Sequence, residues 1–444
     1  MKQVIIAILL LAVSSTAYSQ WECPSRLGAA LKPIGNSNFM WGAEVEASGG
    51  WVKDNYAGNL MGFFGLNYGQ GRSNFYVEGG LKAWMRGSNQ TWDYVDETTS
   101  TSGTKKDRTH NVLPGLREAF YRYNGDKSIL TLGLQSAHGD EDYLLNERVV
   151  GLNYLFRTSN WRLNVIGGSV MQDFARNGRF CTKGYLYNDI VVGRPRSYVG
   201  KDFGDTNFGM FSVAFTPQKK ADEFGEATPS LFSFNKVGAV AYSEFGRQLS
   251  KPIFTTGLYT DFDFAGIEVK PEVLMQTVDN KKAVIYHVSA EKKFQWSPSQ
   301  VSRIYGLFVG YSAIDNGARP INSFSNLFLG DVLRQDVLES PAILLALKHS
   351  FTKIKTSIKI QGVMQLKSSV VSNESTDFVP DYYNSPLNKM QELDIAVSKN
   401  FGKYVWLNAS FGMLNYPNLS LTNVTLHYNN VQTMFGKLDC RITF

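Results

Sequence analysis

The strongest constraint on this 444-residue chain is a two-residue period that returns in segment after segment. At the end of the chain Leu438, Cys440, Ile442 and Phe444 alternate with Lys437, Asp439, Arg441 and Thr443. A period of two places one set on each face of a strand. Val150, Leu152, Tyr154 and Phe156 share a face in the same way. Val284, Tyr286, Val288 and Ala290 interleave with His287, Ser289 and Glu291. Ile354, Ile358 and Ile360 interleave with Lys355, Ser357 and Lys359, and Leu393, Ile395 and Val397 with Glu392 and Asp394. From Phe39 to Phe444 the pattern accommodates 18 segments, each of roughly 10 residues, the length of a tilted membrane strand. The predicted fold class is therefore all-β, an antiparallel transmembrane β-barrel of about 18 strands (16–18).

The connections test this independently. Taken alternately, one set is short: Gly69–Ser73, Asn124–Lys127, Thr158–Asn160, Asp263–Gly266, Thr352–Lys353 and Lys399–Lys403. The other holds the long ones: Gly87–Val112, Gln172–Asn207, Ile314–Ser340, Leu366–Met390 and Leu414–Val431. Membrane barrels have short turns at one end and long loops at the other. Three features fit poorly. Thr216–Asn235 is long where a short turn is expected, Arg247–Pro252 and Asp279–Lys282 are short where loops are expected, and Pro271 lies inside a strand, where it removes a ladder donor.

The N-terminus reads as an address. Lys2, the apolar run Val4–Val13 and Ala17-Tyr18-Ser19 form a secretory signal peptide, residues 1–19. The run is too short to span hydrocarbon. Residues 20–38 form a short lead segment, and 39–444 the barrel. Forty-five Lys and Arg against 39 Asp and Glu give a net charge of +6. With no long basic run, that excludes nucleic acid as the expected partner. Cys23, Cys181 and Cys440 match no zinc spacing, and the barrel arrangement separates Cys23 from Cys181, so no disulfide is expected. No cofactor or metal is implied.

Parity assigns the inner face. Glu44, Glu46, Glu78, Lys82, Glu118, Arg122, Arg162, Asp261, Glu268, Lys270, Glu272, His287, Glu291, Lys293, Lys348, Lys355, Lys359, Glu392, Asp394, Lys437, Asp439 and Arg441 are read as pore-lining. Isolated charges cannot sit dry, so the interior is either water-filled or a dense salt-bridged plug. A barrel of this size has room for an aqueous channel. Gln172–Asn207 carries Arg176, Arg179, Lys183, Tyr185, Tyr187, Arg194 and Arg196, a candidate constriction loop, or else a cap on the other loops.

Other clusters carry less. His287 and Ser289 lie two apart on one face, but no oriented third group completes a nucleophile, so no enzyme is expected. Asp140-Glu141-Asp142 lacks the spacing of a calcium loop. Gly62, Gly65, Gly79 and Gly80 read as relief of crowding where strands curve.

Short turns, long loops and a terminal Phe444 together resemble the bacterial outer-membrane porin class. The resemblance implies that Leu438, Ile442 and Phe444 serve as the assembly signal. It also implies an integral protein of a Gram-negative outer membrane with both termini periplasmic. The partners implied are lipid, lipopolysaccharide, the assembly machinery and small hydrophilic solutes. Gly- and aromatic-rich strands suit a porin-like protein of the Bacteroidota. Leu130-Thr-Leu-Gly-Leu-Gln135, Gly139-Asp140 and Asn146-Glu-Arg-Val-Val-Gly-Leu152 are similar to the early strands of alginate-export-type barrels, which pass anionic polysaccharide along a strongly basic pore. Three readings follow: a passive channel for small hydrophilic solutes or oligosaccharides, a structural or accessory barrel carrying partner proteins of an outer-membrane complex, and a polysaccharide export channel.

Overall fold

The computed structural model describes residues 27, 30–52, 55–86, 112–139, 144–170, 207–217, 231–246, 251–315, 328–329, 335–336, 341–366, 391–420 and 427–444. The alternating segments form eighteen long strands. They are β1 Phe39–Val52, β2 Asn55–Gln70, β3 Ser73–Arg86, β4 Val112–Asn124, β5 Ser128–His138, β6 Asn146–Arg157, β7 Trp161–Val170, β8 Asn207–Phe215 and β9 Phe232–Phe245. The series continues with β10 Ile253–Phe264, β11 Ile267–Val278, β12 Lys281–Ser297, β13 Gln300–Ala313, β14 Ala342–Phe351, β15 Thr356–Gln365, β16 Gln391–Phe401, β17 Val405–Ser420 and β18 His427–Thr443. Each pairs antiparallel with the next, and β1 pairs with β18 from Glu44↔Thr443 to Val52↔Phe435. The sheet is thus a closed 18-stranded barrel, as the alternation predicts, and closure removes every long free edge.

The two faces are inverted relative to a soluble protein. Along β16, Leu393, Ile395 and Val397 are 50%, 47% and 43% exposed, while Glu392, Asp394 and Ala396 are 2%, 0% and 3% exposed. Leu258, Leu345, Phe411, Met413 and Leu438 continue the exposed apolar surface around the wall. Outward aromatic pairs gather at the end with the short turns: Phe39–Tyr68, Phe75–Tyr121, Trp161–Phe215 and Phe232–Phe262, with ring centroids 4.8–5.3 Å apart. An apolar band edged by aromatic rings is the outer surface that hydrocarbon and its interface select.

Turn chemistry sets the register. Ala265 and Gly266 both have positive φ (52° and 74°), and so do Asp279 and Asn280 (50° and 62°). Two such residues in succession give a turn whose twist matches the strands it joins. Asp279–Asn280 is therefore a two-residue turn at the end that otherwise carries the long connections. Pro271 is accommodated by a gap. The β10–β11 ladder runs to Tyr259↔Glu272 and resumes at Phe262↔Val269, leaving Thr260 and Asp261 opposite Lys270 and Pro271. On its other side Pro271 keeps its place opposite Val288.

Candidate functional site

The functional surface of a closed barrel is its inner wall. Glu78, Glu118, Arg122, Arg162, Asp261, Glu268, Lys270, Glu272, His287, Glu291, Lys359, Glu392, Asp394, Lys437, Asp439 and Arg441 all take inward register positions. Lys82 holds a backbone position in β3 opposite Met61. Lys355 is a correction. It belongs to the turn before β15, with φ of 51°, and its Nζ lies 3.3 Å from the Gly402 carbonyl oxygen at the rim rather than on the wall. Ile354 is an exposed residue of the same turn. The candidate constriction residues, Arg176 to Arg196, fall outside the described residues, as do Asp140, Glu141 and Asp142.

The charges are organised by sector. From β3 to β6 they are of mixed sign and paired. Arg117 Nη1 lies 3.1 Å from Glu78 Oε1, and Tyr76 Oη donates to Glu78 Oε2 at 2.6 Å. Arg148 makes a close ion pair with Glu118, which also accepts from Ser136 Oγ at 2.8 Å. All four charged groups are buried. Sequence parity named neither arginine. Arg117 turns inward beside Glu118 because the ladder slips one residue between Glu78 and Gly79, a bulge that aims two successive side chains to one side. The glycine pair Gly79-Gly80, opposite Leu-Arg-Glu, is the only hint of it in the sequence. Arg148 occupies the gap above Leu134, where β5 stops pairing with β4.

At the seam, Asp439 accepts from Ser48 Oγ at 2.7 Å and from Asn408 Nδ2 at 3.3 Å, and lies 3.2 Å from Lys437 Nζ. Glu44 accepts from Thr443 Oγ1 at 3.0 Å. From β9 to β11, Asn235 Nδ2 donates to both Asp261 and Asp263, at 3.1 and 3.0 Å, across a second bulge between Phe234 and Lys236. Lys270 pairs with Glu268 at 2.8 Å. His287 Nδ1 lies 3.8 Å from Glu272 Oε2, beyond hydrogen-bond reach. It is a buried wall residue.

From β12 to β15 the pattern changes. Lys293 is the register partner of Arg303, Arg303 of Lys348, and Lys348 of Lys359. Four cations therefore stand side by side on four adjacent strands, spanning roughly 14 Å at the usual strand spacing. Like charges directly opposite each other destabilise a sheet. Glu291 reaches Arg303 at 3.3 Å, leaving the row and this acid at a net formal charge of 4 − 1 = +3. The row lies three to four residues above the short turns at Ser297–Gln300 and Phe351–Thr356.

The interior is less polar than parity implies. Towards the long-loop end, Leu274 pairs with Ile285, Leu307 with Leu344 and Val309 with Ala342, all inward and buried. On β2 the inward residues Met61 and Phe63 are buried with Leu27 of the lead segment. Alternation reports which residues share a face, not which face is wet.

The shape has known counterparts. The chain is similar to a BenF-like porin from Pseudomonas fluorescens Pf-5, with 8% identity over 92% of this chain and 98% of that one, at a TM-score of 0.54. It is equally similar to a double variant of OccD1 (OprD), with 8% identity over 94% and 98%, at 0.53. Identity this low establishes the fold they share, an 18-stranded porin-type barrel. No protein-family model and no curated protein matches the sequence.

Proposed function

We propose that this protein is an integral outer-membrane channel that passes small hydrophilic solutes and favours anions. The row Lys293–Arg303–Lys348–Lys359 carries this reading. Adjacent like charges repel across the ladder, and an anion passing through the lumen would be drawn to the positive potential they create. The apolar outer band with its aromatic rim supports membrane insertion. Residues 1–19 are then the export signal, and the short turns, the lead segment and Phe444 face the periplasm. In this setting the cations sit just inside the periplasmic mouth.

The polysaccharide-export alternative needs a basic track along the pore axis. The row instead crosses four adjacent strands of one sector, and carboxylates such as Glu272, Glu392 and Asp394 line other parts of the wall. That favours short anions over a threaded polyanion. The test is reversal potential in planar bilayers under a KCl gradient. Refolded protein should be anion-selective, and Lys348→Glu with Lys359→Glu should shift it towards cations. A barrel that conducts nothing at any voltage would overturn the reading.

A further inference from the structure

The lead segment is tied into the barrel at two places. The first is the seam. β18 leaves β1 at Glu44↔Thr443, and the Phe444 N–H donates to the Ala43 oxygen at 2.7 Å. The β1 edge beyond that point is taken by the chain itself. Lys32 pairs with Trp41 and Pro33 with Met40, through a hairpin in which the Ile34 N–H donates to the Phe39 oxygen at 2.9 Å. Lys32 Nζ also stands 5.2 Å from the centre of the Tyr404 ring.

The second place is inside the lumen. Leu27 is 0% exposed and packs with Met61, Phe63 and Leu31. Beneath it lie Gly42 and Gly65, which are register partners across β1 and β2. Neither has a left-handed φ, so the backbone conformation does not call for glycine at either position. Space does. A Cβ on Gly42 would stand 2.8 Å from Leu27 Cδ1 and 3.2 Å from Leu31 Cδ2. One on Gly65 would stand 2.7 Å from Tyr76 Oη and 3.1 Å from Leu27 Cδ2. The notch is bounded by Phe63, whose ring carries the Arg117 guanidinium at 4.5 Å, and by Tyr76, held by Glu78.

We infer that Gly42 and Gly65 form an internal binding notch for one aliphatic side chain, and that Leu27 seated there narrows the periplasmic mouth. The constriction rests on the channel reading, whereas the seat does not.

Two measurements separate them. In a background carrying Cys23→Ser, Cys181→Ser and Cys440→Ser, Leu27→Cys in the refolded barrel should react with an impermeant maleimide about 10-fold more slowly than Ser37→Cys, an exposed position of the same segment. Adding Gly42→Ala should bring the two rates together. Equal rates without that change would overturn the seat. In bilayers, Leu27→Ala and Gly42→Ala should each raise single-channel conductance above that of the unaltered protein, and Ser37→Ala should not. A protected Leu27→Cys with unchanged conductance would leave a seat that narrows nothing, overturning the constriction. Silence from every variant would remove the channel reading and the constriction together, with the labelling rates still deciding the seat.

Discussion

The inner wall handles charge in two opposite ways. Between β3 and β6, Glu78, Arg117, Glu118 and Arg148 are interleaved by sign and drawn into contact, with Tyr76 and Ser136 donating to the two carboxylates. Between β12 and β15, Lys293, Arg303, Lys348 and Lys359 stand cation beside cation. The first arrangement pairs its charges and braces the wall. The second sets like charges on adjacent strands, with Glu291 the acid drawn to Arg303. The difference teaches where to test for transport: in the sector where like charges adjoin, rather than in the sector whose charges are paired.

The sharpest way to break the comparison is to unpair the braced sector. Arg148→Leu leaves Glu118 buried without its cation, and removing one partner of a buried pair costs about 3–5 kcal/mol. The variant should lose the compact, heat-modifiable band on gels, and Glu118→Leu added to it should restore much of that band. If Arg148→Leu alone assembles normally, the cluster is not a brace.

The next effect calibrates both sectors against the outside of the wall. Leu438 is outward and 56% exposed, while its neighbour Lys437 is buried inside. Leu438→Arg should cost roughly 2–4 kcal/mol near the membrane midplane and less towards the interface. Lys437→Leu should cost less than that, because Asp439 loses the Lys437 ammonium but keeps Ser48 and Asn408 as donors. Heat-modifiable mobility in outer-membrane fractions reads both. The opposite ranking would invert the faces of β18.

The smallest effect on stability should come from the like-charge row. Lys348→Gln removes the cation flanked by Arg303 and Lys359. Relief of repulsion should leave stability unchanged or raise it by less than about 1 kcal/mol, while anion selectivity in bilayers falls. Glu291→Gln, which uncovers Arg303, should raise anion selectivity instead. A marked loss of stability in Lys348→Gln would place the row in the same class as the braced cluster.

The strand number, the outward face and the alternation of short and long connections were legible because each repeats a simple period many times. Single-residue interruptions of that period were not. The bulge at Glu78/Gly79 brings in Arg117, which alternation assigns to the outside, and the bulge at Phe234/Lys236 adds Asn235 to the Asp261–Asp263 pair. Lys355 fits the alternating pattern of β15, yet it adopts a left-handed φ and ends the turn before it. Wetness of the inner face was also hidden. Met61 and Phe63 sit in phase with the lumen, and only the arrival of Leu27, 34 residues upstream of Met61, explains why apolar groups belong there.

Closing the wall ties residues that are very distant in the chain. The hydrogen bonds Ser48–Asp439 and Thr443–Glu44 span 391 and 399 positions, whereas the neighbouring hairpins turn through a few residues. Ring closure over that distance carries about 3 kcal/mol more chain entropy than closing a loop of ~10 residues. The seam is therefore the join that costs the most chain entropy to close. Until β18 arrives, seventeen strands make a curved open sheet, and the free side of β1 can recruit any foreign strand it meets. The hairpin at Lys32–Pro33 already occupies one stretch of that side, next to where Phe444 will dock. It also puts a proline, which has no N–H to offer, on the outermost edge. The vulnerable interval in this protein's assembly is thus shortened at its start by the same few residues that lie in the finished mouth.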